Sequence, residues 1–190
     1  MNIDLNIRQA TPQDAPHIAP LIYDAIGDIA GRLTGEHHLQ NIMTELEELV
    51  RADDNRHTYR NTFVACANEQ ILGIIVLYDG QTGKELDALL MEKLQQKHAS
   101  SLQIDLEAHD DEYYIDTICV ASHVRGLGIG TKLLHFAEEQ AVRCGYKKVS
   151  LNVDEAKIKA RQLYEQQGFA VTEPWEIIGE KFYHMVKEVS

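Results

Sequence analysis

Apolar residues along the chain recur with two periods, which divide it into strands and helices. Spacings of three or four positions predict helices, whereas strict alternation, or a short apolar run between turn residues, predicts a strand. The expected strands are residues 3–7, 62–67, 71–78, 113–120, 148–153, 169–172 and 181–189. The expected helices are one that begins at residue 11, and then residues 39–51, 83–97, 131–144 and 156–167.

Boundary residues support this division. Thr11 can cap a helix whose first turn holds Pro12 and Asp14. Pro20 follows inside the same pattern and should bend or shorten that helix. Gly145 stands where a residue in the left-handed conformation would end the fourth helix.

The order of these elements predicts an α/β fold. One strand–helix–strand step covers residues 113–153, and the rest of the pattern favours a mixed, mostly antiparallel central sheet flanked by helices. The helix 83–97 and the acidic stretch 105–112 form an insertion between the third and fourth strands. The chain has no internal repeat and no Gly/Ser linker, and its 190 residues fit one domain, residues 1–190.

Charge and composition narrow the class of partner. The formal net charge of −12 argues against nucleic acid, because phosphates are repelled over most of the surface. No apolar run approaches the ~20 residues that a membrane-spanning helix needs, so no membrane association is expected. The first residues lack the basic and apolar regions of a secretion signal. We therefore expect a soluble cytoplasmic protein.

The cysteines and the paired histidines predict neither a disulfide bond nor a metal site. Cys66, Cys119 and Cys144 are odd in number and widely spaced, which suits a reducing compartment. The pair His37 and His38 has no third ligand at a spacing typical of a metal site. The sequence predicts no metal.

Residues 125–131 read Arg-Gly-Leu-Gly-Ile-Gly-Thr and lie directly between a predicted strand and a predicted helix. Glycines at alternate positions let a backbone approach a bulky anion, and the helix start adds free N–H groups at the same place. A diphosphate fits that chemistry. The segment does not match the Walker phosphate loop, because Gly130 is followed by Thr131 and Lys132. It does not match the dinucleotide-binding fingerprint either, because position 131 is not glycine.

This segment resembles the acyl-CoA loop of the GNAT acetyltransferase superfamily, whose pattern is Arg/Gln-x-x-Gly-x-Gly/Ala. Arg125, Gly128 and Gly130 occupy its positions, and Val120 stands five residues earlier, as the family's strand-ending valine does. Residues 163–169, Leu-Tyr-Glu-Gln-Gln-Gly-Phe, are similar to the family's downstream Leu-Tyr-Glu-x-x-Gly-Phe segment. The alternative, a mere tight turn at residues 125–131, explains the loop but not the second motif.

The resemblance implies transfer of an acetyl group from acetyl-CoA, as co-substrate, to an amine acceptor by direct attack in a ternary complex. Backbone amides of the loop would hold the diphosphate, and the pantetheine arm would pair with the preceding strand like an added strand. The Asn152 side chain would bind the pantetheine or the acceptor, or else face solvent. The residues implied in cofactor binding are Ile118, Cys119, Val120, Arg125, Gly126, Leu127, Gly128, Ile129, Gly130, Thr131 and Asn152.

The same resemblance also implies which residues are catalytic. Tyr164 matches the tyrosine that protonates the leaving thiolate, and its alternative is an ordinary packing aromatic. The carboxylate that several relatives carry falls at Tyr114, so Asp116, two residues later and on the same strand face, is the nearest substitute. Its alternative is a hydrogen-bonded aspartate that merely attracts a cationic amine. Glu112 is a weaker candidate and is expected to face solvent, and Lys157 replaces an asparagine that relatives use.

Other readings remain open. The acidic insertion would concentrate a cationic substrate beside the acceptor channel, or it is a surface excursion or a homodimer contact. A non-catalytic acyl-CoA-binding module is the main rival, and release of coenzyme A with a panel of amines separates the two. A nucleotide-binding α/β protein is a second rival, which competition of ATP and NAD against acetyl-CoA would decide.

Overall fold

The computed structural model describes residues 4–97, 105–177 and 179–190. Its described strands form one mixed sheet in the order β1-β2-β3-β4-β5-β7-β6, in which the β4–β5 pair is parallel and the other neighbours are antiparallel. The strands are β1 Asn6–Gln9, β2 Thr62–Ala67, β3 Gln70–Asp79, β4 Tyr113–Val120, β5 Lys148–Asp154, β6 Ala170–Ile177 and β7 Glu180–Glu188. The expected mostly antiparallel sheet is confirmed.

Helices cover both faces of this sheet. On one face, α5 buries Leu133, Leu134, Ala137 and Ala141 against it, spaced as one apolar face of a helix requires. On the other face, α1 and α3 pack together, and α3 buries Ile42, Leu46 and Val50, spaced four residues apart. The helices are α1 Ala15–Ile26, α2 Ile29–Thr34, α3 Leu39–Arg51, α4 Gly80–Lys97, α5 Ile129–Arg143 and α6 Ile158–Gln166.

Several boundaries differ from the sequence prediction. Pro20 lies inside α1, which continues to Ile26, so the expected shortening is wrong. The short α2 was not predicted, and β6 runs to Ile177 rather than ending at residue 172. Gly145 has the expected left-handed backbone, with φ of +84°. The helix α4 lies between β3 and β4, where an insertion was expected. None of the helices in the described ranges has both the length and the apolar character to cross a bilayer.

Two irregularities of β4 shape the middle of the sheet. Its pairing with parallel β5 is limited to the three steps from Tyr113 to Ile115, and beyond them the two strands separate. On its other side, Val76 pairs with Thr117 and Leu77 pairs with Ile115, so Asp116 is the extra residue of a β-bulge. A bulge re-aims the side chains around it. The sheet therefore opens into a gap at the point where Asp116 stands.

Asp14 joins the first strand to the first helix. It accepts hydrogen bonds from the Thr11 amide at 2.8 Å and from both terminal nitrogens of Arg8 at 2.8 and 2.9 Å. The hydrogen bonds from Arg8 are the main cause that lowers the pKa of Asp14 from 3.8 to about 2. The ionised carboxylate therefore stabilises the fold above pH 3.8, and this contribution is lost as the pH falls through about 2.

We expect Asp14→Asn to lower the free energy of unfolding by about 1–2 kcal/mol at pH 7, because the helix start and the ion pair lose their charge. Urea denaturation of both proteins between pH 7 and pH 2 measures this, and the difference should shrink toward the acid end. Asp53→Asn, in the exposed pair with Arg60, is the control and should change stability little. A wild-type advantage that stays constant down to pH 2 contradicts the assignment.

Candidate active site

Beyond Ile115, the edge of β4 that faces β5 is not paired with that strand. In an antiparallel pair, residues alternate between those whose N–H and C=O groups bond the partner strand and those whose groups point away. The Ala121 amide donates to a β3 carbonyl at 2.8 Å, one step beyond the pair of Gly73 with Val120. Ala121 is therefore a residue that bonds β3, and by alternation the backbone N–H and C=O groups of Val120 and Ile118 point away from β3, toward the gap. Of the three residues expected to pair with a pantetheine arm, these two face the gap, and Cys119 bonds β3.

The glycine loop lies at the same end of the gap. Gly126 and Gly128 have left-handed φ values of +80° and +79°, and Gly128 directly precedes α5. A Cβ on Gly130 would stand 3.8 Å from the Val120 side chain, so the loop adjoins the end of β4. Within the described part of the chain, the amides of residues 126–131 donate to no backbone carbonyl. Unpaired amides at a helix start form a suitable seat for a diphosphate.

Side chains anchor this loop on both sides. Ile129 is buried in the core, whereas Leu127 is exposed and Thr131 half-buried in the first turn of α5. The Arg125 Nε atom donates to the Val120 carbonyl at 2.9 Å, and its guanidinium also pairs with Asp24 of α1. Arg125 thereby ties the end of β4 to the helix on the opposite face of the sheet.

A cavity of about 590 Å³ occupies the gap between β4 and β5. Its wall includes Tyr164 of α6, whose ring packs against Phe169 with centroids 6.2 Å apart. Burial, with a smaller effect of Cys119, raises the pKa of Tyr164 to about 12, so its hydroxyl is protonated at neutral pH. No hydrogen bond to this hydroxyl is formed by the residues that the structure describes. Tyr164 can therefore donate a proton to a group in the cavity.

Asp116 is also in the wall, and its carboxylate is fully engaged. Oδ1 accepts from Thr117 Oγ1 at 2.8 Å and lies 3.1 Å from His57 Nε2, while Oδ2 accepts from the Tyr78 hydroxyl and from Arg56 at 3.3 Å. Burial opposes the charged form, but His57 and Arg56 outweigh it and lower the pKa of Asp116 below its usual range. Asp116 is thus a permanently charged group.

Arg56 is the centre of this charged cluster and was missed in the sequence. It is buried and pairs with three carboxylates, those of Asp87, Glu107 and Asp116. Burial raises the pKa of Asp87 to about 6, despite its pairing with Arg56. Glu107 and Asp116 both line the cavity, so its wall carries an excess of negative charge. Arg56 and His57 belong to a polar loop between α3 and β2, which gives no local signal of burial.

Asn152 joins a second polar network. Its amide nitrogen donates to the Glu107 carbonyl at 2.8 Å and lies 3.2 Å from the Tyr114 hydroxyl. Its oxygen lies 2.8 Å from His184 Nδ1, so the expected solvent-facing alternative is wrong. Glu112 is 2 % exposed and lies 3.0 Å from His184 Nε2, which corrects the expectation that it faces solvent.

Lys157, at the start of α6, lines the cavity. Its ammonium group donates to the Ala25 carbonyl at the end of α1, at 3.0 Å. This bond spans the cavity from the start of α6 to the opposite face of the sheet. Lys157 is exposed, and its ammonium group is held against the end of α1 by this hydrogen bond.

Comparisons with known proteins agree with this geometry. The family model described as the Acetyltransferase (GNAT) family matches residues 24–169. The chain is 27% identical over 167 residues to an uncharacterized N-acetyltransferase of Bacillus subtilis (strain 168), YhfO, covering 87% of this chain and 89% of that protein. A solved acetyltransferase structure is 33% identical, with a TM-score of 0.79 over 97% of this chain and 100% of the other. An N-acetyltransferase from Staphylococcus aureus Mu50 is 27% identical, with a TM-score of 0.80 and coverage of 95% and 99%.

An α/β sheet that splays beside a glycine loop at a helix start defines the acetyltransferase class of fold. The chain belongs to the GNAT acetyltransferase family. The resemblance read from the loop and from residues 163–169 is thereby confirmed, and acetyl-CoA is the co-substrate that this family implies.

Proposed function

We propose that this protein transfers an acetyl group from acetyl-CoA to a primary amine by direct attack, with both substrates bound in the cavity between β4 and β5. One juxtaposition carries the proposal: Ile118 lines the same cavity as Tyr164 and Asp116, and Val120, two residues farther along β4, adjoins the glycine loop, whose amides at residues 126–131 donate to no backbone carbonyl in the described part of the chain. Acetyl-CoA needs both features: the edge of β4 for its pantetheine arm, next to the thioester, and the loop amides for its diphosphate.

The reaction divides between the two ends of the cavity. The amine nitrogen attacks the thioester carbonyl carbon, the carbon–sulfur bond breaks, and Tyr164 protonates the leaving thiolate. The outward Val120 amide is suited to donate to the thioester oxygen as its negative charge grows. An acceptor that arrives as an ammonium ion first releases one proton to solvent, because only the neutral amine has the lone pair that attacks. The nitrogen of the tetrahedral intermediate then loses a second proton, which balances the one that Tyr164 gives to the thiolate, and Asp116 with Glu107 stabilises the cationic nitrogen before each loss.

Asp116 acts in this proposal by its charge. A carboxylate held by His57 and Arg56 is a weak proton acceptor, but Asp116 belongs to a cluster of three carboxylates around one guanidinium, and this excess of negative charge attracts an ammonium group. The acceptor we propose is therefore a primary amine that arrives in its cationic form, as a small molecule, an amino acid or a protein amino group.

Release of coenzyme A from acetyl-CoA with a broad panel of amines tests the function. Turnover above the rate of simple hydrolysis for at least one primary amine, with formation of the acetamide shown by mass spectrometry, supports the proposal. Saturable binding of acetyl-CoA without turnover on any amine would favour a non-catalytic acyl-CoA-binding module. Displacement of acetyl-CoA by ATP or NAD would favour a nucleotide-binding protein.

We expect Asp116→Asn to lower kcat/KM for a cationic amine by about 10- to 100-fold, because the cavity loses a buried charge next to the acceptor. The Kd of acetyl-CoA should change little, since the glycine loop is at the other end of the gap. Asp87→Asn is the matched control: Asp87 also pairs with Arg56, but it does not line the cavity. Equal losses of kcat/KM in both variants would mean that Asp116 matters only through the packing of Arg56.

A further inference from the structure

Two histidines and two glutamates meet outside the acceptor cavity, where the loop before β4 approaches β6 and β7. His109 comes from the loop before β4, Glu173 from β6 and His184 from β7, and their donor atoms all lie within 4.8 Å of one another. Glu112 adds a carboxylate oxygen 3.0 Å from His184 Nε2. None of these four residues lines the cavity, so the cluster is a separate feature of the molecule.

The hydrogen bonds of Asn152 fix which nitrogen of His184 is free to act as a ligand. The Glu107 carbonyl can only accept, so the Asn152 amide nitrogen must face it and the Asn152 oxygen must face His184. His184 Nδ1 therefore carries a proton, and Nε2 points toward Glu112. A histidine that donates from one nitrogen to an amide oxygen and directs the other at carboxylates has the arrangement typical of metal-ligating histidines.

The cluster combines a fixed half with an adjustable half. His184 and Glu112 are buried, and Glu112 is also held by the His109 backbone amide at 3.0 Å. His109 Nε2 lies 2.7 Å from Glu173 Oε1, and both of these side chains are nearly half exposed. Tetrahedral zinc holds its ligand atoms about 3.4 Å apart, given bonds of about 2.1 Å. Because the side chains of His109 and Glu173 are exposed, they can move from separations of up to 4.8 Å to the spacing of about 3.4 Å that the ion requires.

We propose that His109, Glu112, Glu173 and His184 bind one divalent transition-metal ion that prefers imidazole and carboxylate ligands, with Zn²⁺ as the representative ion. The ion takes the place of the direct contact of 3.0 Å between His184 Nε2 and Glu112, and it links the loop before β4 to the hairpin of β6 and β7. That loop also contributes Glu107 to the acceptor cavity, so metal binding would hold one wall of the cavity in place. The sequence does not predict this site, because its ligands are brought together only by the sheet.

Trp175 gives a direct signal for the test. It is the only tryptophan of the chain, and its ring lies 4.6 Å from the His184 ring and 5.1 Å from the His109 ring, centroid to centroid. Titration of the metal-free protein, without an affinity tag, with Co²⁺ should quench the tryptophan fluorescence to a plateau. Calorimetry with Zn²⁺ should give one site per chain, and saturating Zn²⁺ should raise the melting temperature.

Two variants and one control locate the ion. His109→Gln and Glu173→Gln alter half-exposed side chains, so both proteins should fold, and each should weaken Zn²⁺ binding by about 10- to 100-fold. His135→Gln, an exposed histidine of α5, should bind Zn²⁺ like the wild type. The proposal is overturned if Co²⁺ leaves the fluorescence of Trp175 unchanged, or if the two variants keep the wild-type affinity. These readouts do not depend on acetyl transfer, so they stand apart from the test of the proposed function.

Discussion

Replacing Gly128 with valine should abolish acetyl-CoA binding while the protein still folds. Gly128 has a φ of +79°, and nothing lies within 4 Å of the position that its Cβ would occupy. The penalty in folding is therefore the strain of a side chain in the left-handed region, about 1–2 kcal/mol. The penalty in binding is much larger under the proposed function, because the new side chain stands among the amides of residues 126–131, where the diphosphate must approach the backbone.

The matched control lies at the other end of the same helix. Gly145 follows α5, has a φ of +84° and has no atom within 4 Å of its Cβ position. Gly145→Val therefore carries the same backbone strain at a site remote from the gap. Calorimetry should show a loss of acetyl-CoA affinity of about 100-fold or more in Gly128→Val and wild-type affinity in Gly145→Val, with similar melting temperatures. Wild-type affinity in Gly128→Val refutes the placement of the diphosphate, and equal losses in both variants refute it as well.

Elements with a strong local pattern were predicted well, because the apolar residues that form the pattern are the ones that pack into the core. The helix Leu39–Arg51 has the predicted bounds, and the residues of its apolar face are buried. The short helix Ile29–Thr34 was missed, since it buries only Ala30 and Thr34 and contains a glycine. Six residues give too few turns for a helical period to emerge.

The glycine loop, where we propose that the diphosphate binds, is local in sequence and was therefore predictable. Gly126 and Gly128 need only their neighbours to form a left-handed loop before a helix. The bulge at Asp116 is different, because it depends on the register between β3 and β4 rather than on any local signal. Strict alternation still placed Asp116 and Tyr114 on one face, and both contact the cluster around Arg56.

The polar clusters around Arg56 and around His184 depend on contacts between distant segments. Asp116 pairs with Arg56 and His57 across about 60 residues of chain, and Glu112 pairs with His184 across 72 residues. A run of charged residues in a loop looks the same whether it is solvated or buried against partners of opposite charge. The sequence therefore predicted Glu112 in solvent, whereas the sheet brings a histidine to it.

Tyr164→Phe should lower kcat by about 100-fold or more, with the Kd of acetyl-CoA within about twofold of the wild type. The hydroxyl is the group that we propose donates a proton to the leaving thiolate, and its pKa of about 12 keeps it protonated through the neutral range. The ring of the variant keeps its contact with Phe169, and the lost hydroxyl has no hydrogen-bond partner in the described part of the chain. The melting temperature should therefore stay nearly unchanged.

Single-turnover kinetics and calorimetry on the same protein separate catalysis from packing at Tyr164. Tyr146→Phe is the control: its ring lies 5.6 Å from Tyr113, outside the cavity, so kcat should match the wild type. Parallel losses of turnover and acetyl-CoA affinity in Tyr164→Phe would mean that the hydroxyl supports cofactor binding or local packing rather than the proton transfer. A loss confined to turnover requires a group that interacts with the transition state but not with the bound substrate, and a proton donor to sulfur meets that requirement.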